Sequence, residues 1–293
     1  MRKLLLCLYF TVYAITTVAQ QFERYSPSWF GPNAHPVPEL TDAKISRFTR
    51  FETSLDSYFG YGDQTQNSYF RVEIPLVSEK VGLKIWTNAI EHYKVDSALA
   101  YTRAMTVNHY TGFATGDFYV QTKIRILKES KSVPNLILNY TLKTASGTGV
   151  YEKRHFNTTG YYFDIEAGKS YALNSRIADE VRWVGTLGFM CWETINYTQN
   201  DAPMYGLKIM LTKNKTEWEG GIRGYSGWMY KHPDFGSDFG DRPVVLFTKI
   251  NLKTDKIKYY LQYQYGLRDF PYHQLRVGLQ FESKKLTPHY KND

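Results

Sequence analysis

A regular alternation of apolar and polar residues is the feature that most constrains this chain. In residues 117–127, one face carries Phe118, Val120, Thr122, Ile124 and Ile126, and the other carries Tyr119, Gln121, Lys123 and Arg125. Successive side chains of a β-strand point to opposite faces, so this spacing predicts a strand with one apolar and one polar face. The same spacing returns in 135–143, 256–266 and 274–282, and no sustained helical periodicity accompanies it.

About twelve such segments lie between residues 44 and 283, which predicts an all-β fold, a single antiparallel transmembrane β-barrel. The segments are 45–59, 65–75, 80–93, 116–127, 135–146, 160–171, 180–195, 202–213, 216–229, 243–252, 256–266 and 272–283. An even number of strands places both termini of the chain on the same side of the membrane.

The connections between these segments alternate in length. Long ones are 94–115, 146–159 and 230–242, and short ones are 75–79, 128–134, 172–179, 214–215 and 253–255. Outer-membrane barrels keep long loops outside and short turns in the periplasm, so the alternation also predicts the orientation.

A soluble β-sandwich is the alternative fold. Its inner faces are apolar and its outer faces polar, which gives the same period in sequence with the faces inverted in space. Three features favour the barrel: the alternating connections, an export signal at the start, and Tyr and Trp residues at strand ends, in a chain with 25 Tyr against 17 Phe. Tyrosine suits the aromatic girdles of membrane barrels, where apolar surface meets water.

The first residues predict export. Arg2 and Lys3 precede an apolar run, 4–15, that is too short to span a bilayer. Thr17 and Ala19 place small residues at positions −3 and −1 of a cleavage site, which predicts cleavage after Ala19. Residues 1–19 are therefore expected to be a signal peptide, and an uncleaved anchor is the alternative. Cleavage would leave Cys191 as the single cysteine, without an internal disulfide.

Two segments flank the predicted barrel, which spans 44–283. Residues 20–43 contain Pro27, Pro32, Pro36 and Pro38, so they can form neither a helix nor a central strand. We expect an extended lead-in on the periplasmic side, too short at about 24 residues for a globular plug. Residues 284–293 form a C-terminal tail.

Two motifs resemble known barrel families. The segment 274–281, ending on Phe281, resembles the closing strand of Gram-negative outer-membrane barrels, although here a tail follows it. The blocks 116–120 (GDFYV) and 142–147 (LKTASG) are similar to those of transporter barrels of the phenol meta-pathway type. The closing-strand resemblance implies localisation in the outer membrane and recognition by the barrel-assembly machinery. The second resemblance covers about 35 residues and implies a barrel that passes small molecules, hydrophobic ones among them.

The polar faces predict a charged lumen, because charges facing lipid cost about 2–4 kcal/mol each at mid-depth. The lumen-lining candidates are Arg71, Glu73, Lys84, Lys123, Arg125, Lys143, Asp164, Glu166, Arg182, Lys208, Glu219, Arg223, Lys249, Lys258 and Arg276. Basic residues are in clear excess. A wet channel selecting anions or polar solutes is one reading, and a closed wall of paired charges is the other.

Enzymatic activity finds little support in the sequence. Barrel phospholipases carry His and Ser two residues apart, and none of the seven histidines here has Ser at that distance; pairing across strands stays possible. Asp234, Asp238 and Asp241 offer oxygen ligands for calcium, but a solvated loop explains them better. We therefore predict no catalytic residue, no metal site and no cofactor.

The sequence thus predicts a porin-like outer-membrane channel or transporter for small solutes. The formal charge of +8 falls to 8 − 2 = +6 without Arg2 and Lys3. In an exported protein this favours outer-membrane lipids, lipopolysaccharide and anionic solutes as partners, and not nucleic acid. A lipid-modifying enzyme and a closed structural or surface-binding barrel are the alternatives.

Overall fold

The computed structural model describes residues 27–173, 175–193, 199–227 and 239–288. The predicted signal peptide, 1–19, lies outside these residues, as do the first seven residues of the lead-in and the last five of the tail. Within them, no helix is long and apolar enough to cross a membrane.

Thirteen antiparallel strands dominate the described residues. They are β1 (Thr49–Gly60), β2 (Asp63–Val77), β3 (Val81–Val95), β4 (Thr111–Ala114), β5 (Tyr119–Leu127), β6 (Asn135–Lys143), β7 (Gly160–Ala172), β8 (Glu180–Glu193), β9 (Gln199–Lys213), β10 (Thr216–Tyr225), β11 (Val244–Lys253), β12 (Ile257–Arg268) and β13 (His273–Ser283). Neighbours in sequence pair around the sheet, and β13 pairs with β1 from Thr49↔Ser283 to Phe59↔His273. The sheet therefore closes on itself, and the predicted antiparallel barrel is confirmed.

Strands β4 and β5 together fill one position in the barrel wall. Both pair with β3, β4 against its residues 91–94 and β5 against 81–86. Between them the Gly116 N–H donates to the Asn88 carbonyl at 2.8 Å, and a Cβ at Gly116 would lie 2.8 Å from the same oxygen. Only glycine permits this approach. Thirteen strands thus make a wall of twelve positions, and β4 lies in what the sequence predicts as a loop.

The apolar faces of the strands point outward. Leu187 and Leu55 are 73% and 69% exposed, whereas the polar inner residues Lys123 and Asn139 are 1% exposed. A soluble sandwich has the opposite arrangement, so the fold excludes that alternative. An apolar exterior around a polar interior is the arrangement of a membrane barrel.

The described connections divide the barrel into two ends. The long-loop end carries 96–110 and 144–159, and the short-turn end carries 78–80, 214–215 and 254–256. The helix α1 (Ser97–Thr102) lies in the first long loop, and Asp96 caps it by accepting from the Leu99 N–H at 2.7 Å. A 3-10 turn, Pro27–Trp29, begins the described chain at the same end.

The proline-rich lead-in departs from the prediction. Its described part lies inside the barrel and not beyond the short-turn end. We call residues 27–48 the strap. Proline excludes the strap from the sheet, as expected, but an extended chain also fits lengthwise through a barrel whose inner face offers charged partners. At the other end of the chain, Thr287 accepts a hydrogen bond from the Thr49 N–H at 2.8 Å and so ties the described part of the tail to β1.

Candidate functional site

The lumen is the candidate site, and the strap runs through it from the long-loop end to the start of β1. Near its beginning, the Gly31 N–H donates to the Lys153 carbonyl in the loop 144–159 at 2.7 Å. Near its end, Lys123 Nζ of β5 donates to the Lys44 carbonyl at 2.8 Å. The strap is therefore bound to the wall at both ends of the barrel.

Two fully buried guanidinium groups close the long-loop end. Arg103, which follows α1, and Arg154, in the loop 144–159, both donate to Asp63 Oδ2, at 2.6 and 2.7 Å. Arg154 Nε also donates to Glu91 at 2.5 Å. Burial by itself would lower the pKa of Arg154, but Glu91 and Asp63 raise it, so the group stays charged. We call these four side chains the seal; their two positive and two negative charges balance.

The seal also holds the strap. Arg103 Nε donates to the Ser28 carbonyl at 3.2 Å, and the Tyr272 hydroxyl donates to the Phe30 carbonyl at 2.7 Å. Strap, α1 and the long loops therefore form one packed unit at this end.

Below the seal, a layer of large side chains packs around Val37 of the strap. The buried cluster contains Tyr58, Tyr119, Tyr162, Met190, Trp192, Ala202, Met204, Tyr225, Val245, Phe270 and Tyr272. The cavity left beside it has a volume of only about 70 Å³, enough for about two waters. Among the described residues, the strap and this layer therefore leave little open space in this part of the lumen.

Glu39 places a strap carboxylate at mid-lumen, among four basic side chains from four strands. We call Arg71, Lys84, Arg223 and Arg276 the basic belt. Arg276 Nη1 donates to Glu39 Oε1 at 2.7 Å, and Arg71 Nη1 lies 3.9 Å from Glu39 Oε2. Lys84 and Arg223 line the cavities on both sides of Glu39.

Two members of the basic belt also have carboxylate partners in the wall. Arg276 donates through Nε and Nη2 to the two oxygens of Asp56, at 2.8 and 2.7 Å. Arg71 donates to Glu52 in a short contact. The planar two-bond pair with Asp56 fixes the Arg276 guanidinium, and each wall carboxylate neutralises its partner.

The other two members have no such partner among the ion pairs of the described residues. Lys84 Nζ lies over the Trp86 ring, 4.4 Å from its centroid, and is 4% exposed as a residue. Arg223 Nη2 donates to Gln264 Oε1 at 2.5 Å, while its buried Nε has no hydrogen-bond partner. The belt therefore keeps unneutralised positive charge.

A second, larger cavity of about 290 Å³ lies between the basic belt and the short-turn end. Ten basic residues line it: Lys44, Arg47, Arg50, Arg71, Lys84, Lys123, Lys208, Arg223, Lys249 and Lys258. Five acidic residues do so: Glu39, Asp42, Glu73, Glu219 and Glu282. Lys208 bridges Asp42 of the strap, at 2.8 Å, and Glu219 of the wall, at 3.0 Å. Lys249 lies over the Tyr260 ring at 4.1 Å. The lining is thus strongly positive.

The structure places the predicted lumen-lining residues on the inner side, but it does not gather them all at one site. The basic belt and the larger cavity bring together Arg71, Glu73, Lys84, Lys123, Lys208, Glu219, Arg223, Lys249, Lys258 and Arg276. The others make separate contacts: Arg125 with Glu79, Arg182 with Glu129, Lys143 with Asp117, Asp164 with Asn139, and Glu166 with Thr41.

Sequence reasoning missed the side chains that close the lumen. Arg103 and Arg154 lie in loops, where no alternation marks an inward side chain. Glu39 and Asp42 lie in the strap, which the prediction placed outside. The excess of basic residues on the inner face was the available signal, because buried cations attract any carboxylate the chain can supply.

Histidines and acidic clusters add no second site. His155 Nε2 lies 3.4 Å from Glu91, and His273 Nδ1 lies 2.7 Å from the Tyr263 hydroxyl. In the described part of the chain, no group of three or more His, Cys, Asp or Glu side chains is arranged to hold a metal ion. Asp234 and Asp238 of the predicted acidic loop lie outside the described residues.

No family model and no curated protein matches the sequence. Among solved structures, an outer-membrane channel from Pseudomonas putida F1 covers 83% of this chain and 99% of its own, with 10% identity and a TM-score of 0.56. The KdgM porin covers 79% and 99%, with 11% identity and a TM-score of 0.44. The transport unit of the autotransporter AIDA-I from Escherichia coli covers 86% and 94%, with 11% identity and a TM-score of 0.46.

The first of these likenesses defines the class of fold. The chain folds as an outer-membrane β-barrel of the kind seen in that channel, as its sequence predicts. At 10% identity the likeness concerns the fold alone, so what passes through this lumen must be argued from the chain's own residues.

Proposed function

We propose that the chain is an outer-membrane channel for small anionic solutes, closed by its strap in the state described. The observation that carries the proposal is the charge of the larger cavity, which ten basic and five acidic residues line. A lumen with one sign of charge and low-dielectric walls concentrates ions of the opposite sign.

Conduction requires the strap to move, and it can do so without breaking the hydrogen bonds between the strands of the wall. The barrel is held by hydrogen bonds between its strands, whereas the strap is bound through side chains and a few loop contacts. Displacing the strap therefore leaves the inter-strand ladder intact. The energy needed is that of several charged hydrogen bonds, about 1.5–3 kcal/mol each, together with the exposure of buried apolar strap residues such as Val37 and Ile45.

A closed structural or surface-binding barrel is the second candidate. The balanced, fully buried charges of the seal support it, because such a network stabilises a plugged state. A lipid-modifying enzyme is the third, and no observed contact favours it over transport. Lipopolysaccharide, other outer-membrane lipids and the barrel-assembly machinery stay predicted partners, with the long loops facing outward.

Ion selectivity in planar bilayers tests the proposal. We expect the wild-type full chain to pass anions in preference to cations in a potassium chloride gradient. Lys84→Glu combined with Lys249→Glu should shift the reversal potential toward cations, because both cations line the larger cavity. Lys128→Glu combined with Lys131→Glu is the matched control, since it makes the same change of charge at two exposed side chains that line neither lumenal cavity.

The outcomes separate the candidates. Selectivity that follows the Lys84 and Lys249 charges supports the channel. Equal selectivity in all variants would contradict a basic selective lumen. An absence of current from the wild type and from strap-weakened variants would overturn the channel and favour the closed barrel.

A further inference from the structure

We propose that Glu39 occupies, as part of the chain itself, the binding site of the transported anion, and that this site takes a small dicarboxylate. The inference rests on the proposed channel function and deepens it. It makes the strap an internal competitor of the solute.

The position of Glu39 is the first argument. It lies where the two lumenal cavities meet, so a solute moving along the barrel would pass it. Its side chain is 30% exposed, although Lys84, Arg223 and Arg276 around it are buried. The carboxylate is therefore accessible from the cavities, and another carboxylate can replace it.

The charge of the basic belt is the second argument. Four cations, Arg71, Lys84, Arg223 and Arg276, face two wall carboxylates, Glu52 and Asp56, which leaves 4 − 2 = +2 without Glu39. Glu39 neutralises half of that charge. A dicarboxylate would neutralise all of it, and an uncompensated buried charge is strongly unfavourable.

The geometry of the donors is the third argument. Arg276 and Arg71 are held by their wall partners, so their remaining N–H groups are already oriented, as the bond from Arg276 Nη1 to Glu39 shows. Oriented guanidinium groups recognise carboxylates well. Lys84 and the unpartnered Nε of Arg223 supply further positive charge and a free donor beside them.

The space available agrees with a small organic anion. The larger cavity, about 290 Å³, is next to Glu39 even with the strap in place. That volume is near the lower end of ordinary ligand pockets, which begin at about 300 Å³. A four-carbon dicarboxylate fits this scale.

Binding of succinate, measured by titration calorimetry on the full chain in detergent, tests the proposal. Glu39→Gln removes the internal competitor while keeping its size, so succinate should bind about ten-fold more tightly than to the wild type. Adding Lys84→Ala to Glu39→Gln should weaken succinate binding about ten-fold relative to Glu39→Gln alone. Among the described residues, Lys84 makes no ion pair with a wall carboxylate, so its removal leaves the wall's charge pairs in place.

The controls separate a specific site from general charge. Asp255→Asn raises the net charge by the same amount at a side chain that is 92% exposed, and succinate affinity should not change. Propionate should bind Glu39→Gln more weakly than succinate, and the neutral diamide of succinate should not bind. Circular dichroism confirms that each variant keeps its strands.

Equal succinate affinity in wild type and Glu39→Gln would overturn the inference, as would an equal gain in Asp255→Asn. Its failure is distinguishable from failure of the proposed function. Conductance without succinate binding leaves the channel and removes this site. Succinate binding that depends on Glu39 and Lys84, without conductance in any variant, leaves the site and removes the channel.

Discussion

Two parts of the strap, its beginning at the long-loop end and Glu39 at mid-lumen, lie among the same kinds of side chain, but the charges are balanced differently. At the long-loop end, Arg103 and Arg154 meet Asp63 and Glu91, and all four are at most 1% exposed. At mid-lumen, the basic belt keeps uncompensated positive charge beside two cavities. A network of fully buried, balanced charges stabilises the structure, whereas an unbalanced network beside open space can bind an ion of opposite charge. The comparison assigns closure to the seal and recognition to the belt.

Breaking the seal should have the largest effect. Arg154→Ala leaves Asp63 without one of its two partners and Glu91 without its guanidinium, which costs about 3–5 kcal/mol of stability in the packed loops. We expect a lower Tm and faster proteolysis of the loop 144–159. Lys153→Ala, at the neighbouring position, is the control, and an equal response in both variants would show that Arg154 does not hold the seal.

Weakening the strap at mid-lumen should have an intermediate effect. Glu39→Gln with Asp42→Asn removes its ion pairs with Arg276 and Lys208 and lowers the free energy of local strap opening by about 1–3 kcal/mol. The lower end is expected because the two carboxylate side chains are 30% and 36% exposed. Hydrogen exchange of the strap amides should become faster.

The stability of the barrel itself should hardly respond to that double variant, because the backbone hydrogen bonds between the strands of the wall do not involve the strap. Glu79→Gln, which removes a rim pair with Arg125, is the control for exchange. If Glu79→Gln released the strap amides equally, the ion pairs at mid-lumen would not be what holds it.

Removing an exposed pair should have the smallest effect. Lys215 and Asp255 lie 3.4 Å apart in two short turns, with side chains 75% and 92% exposed. Solvent screens such pairs, so Lys215→Ala should leave Tm and the reversal potential unchanged within error. A clear shift in either would mean that charge outside the lumen contributes to the properties assigned to the belt.

The wall was predictable because every strand repeats one physical rule. Phe118 and Ile124 face outward and Lys123 faces inward, as a period of two requires. Nothing comparable marks the strap or the seal. Pro36 and Pro38 indicate only what the strap cannot form, and Arg103 reaches Asp63 only after α1 folds over the barrel. The inner faces also carry acids, such as Glu52 and Asp56, that the predicted charge count omitted.

The most direct test of the account is the current carried by the strap-weakened channel. Single-channel conductance in planar bilayers should be compared between the wild type and Glu39→Gln with Asp42→Asn, under the same salt and voltage. The account predicts a higher probability of opening in the double variant, with the current still carried by anions. An unchanged probability of opening, or a current carried by cations, would contradict a basic lumen closed by residues 27–48.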